Sequence, residues 1–106
     1  MTKIQWEVLY RNLESCLIRF QLNYPNYKHV QQAVKDAARR KVDKAIDYAR
    51  IYMEQNQEAC DLVGDKASDN NGQPFNYDKF FNVEWFARDM SRFLKLMRDK
   101  RNSMTN

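Results

Sequence analysis

Two glycines and two prolines among 106 residues constrain this chain more than any other feature of its sequence. A sheet-rich fold needs a turn every few residues, and turns draw on glycine and proline; long helices need neither. The expectation is an all-α fold, a small bundle of three main helices on one modest core, with residues 1–106 forming a single helical domain. A mean hydropathy of −0.85 alongside 13% aromatic residues concentrates the apolar content in a few large side chains. Such a chain folds instead of remaining disordered.

Thr2-Lys3-Ile4-Gln5 has the form of a capping box and starts the first helix. At 100° per residue, Trp6, Leu9, Tyr10, Leu13, Cys16, Leu17 and Phe20 share one face, with Glu7, Arg11 and Glu14 opposite. Pro25 disfavours helical geometry at Tyr24, so the helix is expected to close over Asn23 to Asn26, with Asn26 capping the next.

The middle helix is predicted from about Tyr27 to about Val63, with a narrow buried face of Val34, Ala38, Val42, Ala45, Ile46, Ala49, Tyr52 and Met53. Unbroken, it would be roughly 55 Å long, far more than a domain of this size needs. Either it breaks near Gln55-Asn56-Gln57 or part of it projects from the bundle.

A polar loop at about 64–76 follows, dense in turn residues around Asn70-Asn71-Gly72. After it come an aromatic plug of Phe75, Tyr77, Phe80 and Phe81 and a third helix from about Asn82 to Arg101. The buried stripe of that helix is Val83, Phe86, Met90, Phe93, Leu94 and Met97.

Charge is segregated along the chain. Residues 1–24 carry a net +1, 25–53 a net +4, 54–78 a net −5, and 79–106 a net +4. On the third helix Arg88, Arg92 and Lys95 lie within about 60° of one another, with Trp85 and Leu96 beside them and Arg98 and Arg101 extending the series. Such a ridge can bind phosphates, its tryptophan can stack on a base or fill a pocket, and it can equally be a solvated face with arginine stems over Trp85. On the middle helix Asp36 with Arg40, Arg39 with Asp43, and Asp47 with Arg50 can pair locally. Glu54, Glu58, Asp61 and Asp65 have no such neighbours and form a candidate acidic docking ridge, with simple solvation as the alternative.

Catalytic and metal chemistry find little support. Asp69, Asn71, Gly72 and Asp78 fall at four positions of a calcium loop, but Ala67 stands where the first ligand is needed, which argues against the site. His29 is the one histidine, so no multi-histidine metal site exists, and a surface histidine is the expectation. Cys16 and Cys60 lack ligand spacing and read as reduced core residues. There is no glycine-rich phosphate cradle or nucleophile elbow. The chain is expected to be no enzyme, with no cofactor and no metal.

No apolar run approaches the roughly 18 residues that span a bilayer, and Met1 to Glu7 lacks the apolar block of a secretory signal, so a cytoplasmic protein without a membrane partner is expected. What remains is a non-enzymatic helical interaction protein, an adaptor, antagonist or assembly subunit, acting on a nucleic-acid-handling complex through charged helix faces. The alternative is direct, largely sequence-independent nucleic-acid binding by Trp85, Arg88, Arg92, Lys95 and Arg98, extended by Arg39, Arg40, Lys41 and Lys44. A protein partner is expected. Nucleic acid, met directly or through a complex, and a homo-oligomer are the further candidates.

Overall fold

The computed structural model describes residues 2–27, 31–60, 63 and 81–104. Within them the chain is all-α, without strands, and its main helices are α1 (Lys3–Tyr27), α2 (Gln32–Gln55) and α3 (Phe86–Asn102). The loop at 64–76, the plug residues Phe75, Tyr77 and Phe80, the calcium-like positions, His29, Asp61 and Asp65 lie outside the described residues.

The capping box forms as the sequence predicts. The Gln5 N–H donates to Thr2 Oγ1 at 3.1 Å and the Thr2 N–H donates to Gln5 Oε1 at 2.9 Å, satisfying two donors that a helix start otherwise leaves orphaned.

The end of α1 differs from the expectation: the helix does not close at Asn23 but runs to Tyr27 with Pro25 inside its last turn. Two local contacts outweigh the preference of a pre-proline residue for extended geometry. Tyr24 stacks on Phe20 with ring centroids 4.9 Å apart, and Asn23 Nδ2 donates to the Arg19 carbonyl at 2.7 Å. Capping of α2 is likewise not by Asn26. Its N-cap is Gln31, which supplies no side-chain hydrogen bond.

The middle helix breaks where the sequence offered a break. Asn56 leaves helical geometry (φ −127°, ψ 49°), and its N–H donates to Met53 O instead of Tyr52 O. The orphaned Tyr52 carbonyl accepts from Asn56 Nδ2 at 2.8 Å, and the Cys60 thiol lies 3.4 Å from Met53 O as a donor. Helix resumes over residues 57–60 and carries Ala59, Cys60 and Val63 back onto the core. The bend therefore converts a helix too long for the domain into one that stays in contact with it.

The predicted stripes meet in one contiguous core. Trp6, Leu9, Leu13, Cys16, Leu17 and Phe20 of α1 pack with Val42, Ala45, Ile46, Ala49 and Met53 of α2 and with Phe86, Met90, Phe93, Leu94 and Met97 of α3. Val34 is exposed, and Tyr10, Tyr52 and Val83 are only half-buried at the margin. Leu96, assigned by its spacing to the outer ridge, packs against the core instead.

Two contacts fix the sense of the α1–α3 pair. Phe20 meets Phe86 with centroids 4.9 Å apart, and the Trp6 indole N–H donates to Met97 O at 2.8 Å, so the two helices run antiparallel. A turn at 81–85, in which Asn82 O accepts from the Trp85 and Phe86 N–H groups and Asn82 Oδ1 from the Glu84 N–H, leads into α3. The third helix therefore begins four residues later than its sequence suggests.

Candidate functional site

The buried stripe of α3 sends the residues between its members outward. Arg88, Arg92, Lys95 and Arg98 are all exposed, as the helical spacing predicts, and Trp85 at the N-cap is 38% exposed. The array is not uniform. The Arg88 guanidinium carbon lies 4.3 Å from the centre of the Trp85 ring while its Nε donates to Asp89 Oδ1 at 3.0 Å. Arg88 thus covers the indole, and both are partly committed to each other. Lys95 and Arg98 have no carboxylate within ion-pair distance among the described residues, so their charge is available to a partner.

Arg101 does not belong to this array. Its Nη1 donates to Glu7 Oε2 at 2.6 Å and its guanidinium stands 5.8 Å from the Tyr10 ring, tying the end of α3 to the start of α1. Helical spacing alone groups it with Arg98, because a partner 94 positions away in sequence leaves no local signal.

The hydrogen bond from Arg101, assisted by the charges of Arg101 and Arg11, holds the Glu7 carboxyl below the usual glutamate range. A carboxyl whose pKa is lowered by folding stabilises the folded chain above its unfolded pKa, and that contribution is lost as pH falls through the lowered value. The melting temperature of Glu7→Gln is therefore expected to lie below that of the parent at about pH 7, with the gap closing by about pH 2. Thermal melts followed by circular dichroism across that range check it, and a gap independent of pH would show that the ion pair is not its source.

The acidic ridge is altered by the bend. Glu54 and Glu58 are exposed, but Asn56 lies between them and interrupts the straight line that an unbroken helix would give. Further up α2, Arg39 Nε reaches Asp43 Oδ2 at 4.0 Å as expected. The expected pairs of Asp36 with Arg40 and Asp47 with Arg50 do not form. Asp36 accepts from Gln32 Nε2 at 2.7 Å, and Arg50 lies over the Phe81 ring at 4.8 Å. Exposed pairs of this kind contribute little, so ring contacts and solvent compete easily with them.

The structure also brings together a group that no single helix reveals. Along the antiparallel α1–α2 seam run two adjoining cavities of about 390 and 500 Å³ that share Ser15 and Arg19. Arg19 meets Lys41 and Lys44 there, Ile18 and Leu22 form the outer wall, and among the described residues no carboxylate lines either cavity. Cys16 lies at the base as a buried free thiol; burial pushes its pKa up and the nearby Arg19 charge only partly opposes this, so it is a poor nucleophile at neutral pH. Cys60 is also a buried free thiol.

Among the described residues no three His, Cys, Asp or Glu side chains gather into a metal-binding group, and no helix is long and apolar enough to cross a membrane. Compared with protein-family models, curated proteins and solved structures, the chain shows no match, so the chemistry of its own surfaces carries the functional reading.

Proposed function

We propose that this chain is a non-enzymatic helical interaction protein that docks on a nucleic-acid-handling assembly through charged helix faces, as an adaptor, antagonist or assembly subunit. One observation carries the reading: Lys95 and Arg98, on the outer face of α3, contribute nothing visible to the fold, whereas the cation that does, Arg101, is withdrawn from that face by Glu7. Charges left free of internal partners are the ones a docking surface uses for orientation and encounter. They are spread along a convex helix and not converged on an enclosed cleft, which is the geometry of recognition more than of catalysis. A cytoplasmic setting is consistent with two buried cysteines kept as free thiols.

Direct nucleic-acid binding is the second reading, favoured by the seam cations Arg19, Lys41 and Lys44 as a further source of phosphate contacts. Fluorescence anisotropy of labelled 20-nucleotide single and double strands separates the two. Direct binding predicts an affinity that falls steeply, by about 10³-fold or more, between about 50 and 200 mM salt. The interaction reading predicts no complex with bare nucleic acid at either salt. In either case Lys95→Glu with Arg98→Glu should leave melting within about 0.5 kcal/mol of the parent, because neither residue packs in the core.

A further inference from the structure

Beyond its core stripe, α1 carries a second apolar stripe that none of the described residues covers. Ile4 is 78% exposed, Val8 54%, Ile18 50% and Leu22 71%. With Arg11 and Ser15 between them, these residues recur at spacings of four, three, four, three and four, which places all six on one line of the helix, opposite Trp6, Leu13 and Phe20. Four large aliphatic side chains aligned over about 27 Å of helix are more than scattered surface apolarity.

The order of the residues along this line says what covers it. The spacing reads the same in both directions about Leu13. When a second α1 is laid antiparallel on the first across a two-fold axis, Ile4 therefore meets Leu22 of the second copy, Val8 meets Ile18, and Arg11 meets Ser15. The two-fold axis repeats each contact, as an isologous interface requires. The same register brings exposed Arg11 beside half-buried Glu14 of the second copy, twice, so opposite charges flank the middle while apolar pairs close both ends. A parallel pairing would set Arg11 against Arg11. In the isolated chain Arg11 reaches only its own Glu7, at 3.3 Å, on the exposed surface.

We propose that the outer face of α1 is a homodimer interface, formed by antiparallel pairing with α1 of a second copy through Ile4, Val8, Ile18 and Leu22 and registered by Arg11 and Glu14. The pairing uses no residue of the α3 array, so a dimer carries two such arrays and can bind an extended partner with the gain that bivalency gives. The interface is a property of the chain alone and stands or falls independently of the proposed function.

Light scattering on the purified chain across a concentration series tests it together with engineered cross-linking. The expected mass is twice 12.8 kDa. Ile18→Glu should raise the dissociation constant by more than about tenfold with helicity unchanged. Under mild oxidation, Ile4→Cys combined with Leu22→Cys should give a covalent dimer, while either single variant stays uncrosslinked because antiparallel pairing holds like positions at opposite ends. The native thiols are buried and do not compete. A chain that remains monomeric throughout, a dimer indifferent to Ile18→Glu, or single variants that cross-link as readily as the double one would each overturn the interface.

Discussion

Trp6→Ala is expected to destabilise the fold by about 3–5 kcal/mol, a large share of the roughly 5–15 kcal/mol that a domain commands. Trp6 is one of the largest fully buried side chains, and it lies where α1 crosses α3, on the opposite end of that pairing from the Phe20–Phe86 contact. Truncation removes the indole from the core and with it a buried side-chain hydrogen bond that reaches from the α1 core face to the α3 backbone, that to Met97 O. The neighbouring Glu7–Arg101 pair is half-exposed and cannot compensate. Urea denaturation followed by far-ultraviolet circular dichroism measures the loss. Trp6→Phe should cost less than alanine, because a buried ring is kept while the hydrogen bond to Met97 O and the volume of the pyrrole ring are lost. An alanine variant as stable as the parent would mean that α3 is not packed on α1 in this register.

Ala49→Leu should cost about 1–3 kcal/mol by overpacking. Ala49 is fully buried, as is Ala45 one turn before it, and these small residues let α2 approach the bulky faces of the other helices closely. A leucine there has no space to enter without displacing a neighbour. Ile51 provides the control, because it lies on the outer side of the same helix at 44% exposure; Ile51→Leu should stay within about 0.5 kcal/mol. Comparable costs at the two positions would show that the faces of α2 are assigned the wrong way round.

What can be read from the sequence divides along the range of the interactions involved. The capping box at Thr2 and Gln5, most of the three buried stripes and the weak point at Asn56 are each written within a few neighbouring residues. The box and the break form, and of the stripes only Val34 is left exposed and Tyr10, Tyr52 and Val83 half-buried. The continuation of α1 through Pro25 depends on how Tyr24 and Asn23 bond back to the preceding turn, which outweighs a backbone preference of modest size. Arg101 misleads for a different reason. Helical spacing assigns it to the α3 ridge, and only the fold brings Glu7 to it. The α1–α2 seam is invisible for the same cause, since Arg19 and Lys44 converge only when the helices pack. The outer stripe of α1 is local and legible in principle, but Glu7, Arg11 and Glu14 on the same side mask it when polarity alone is counted.

The most direct measurement is affinity capture of the tagged chain from its source cells at about 150 mM salt, after nuclease digestion, comparing the parent with Lys95→Glu/Arg98→Glu by quantitative mass spectrometry. A docking role for α3 predicts that proteins of a nucleic-acid-handling complex survive the nuclease, and that the double variant loses them while melting at the same temperature as the parent. Equal recovery by both forms, or a loss caused by the nuclease alone, would contradict it.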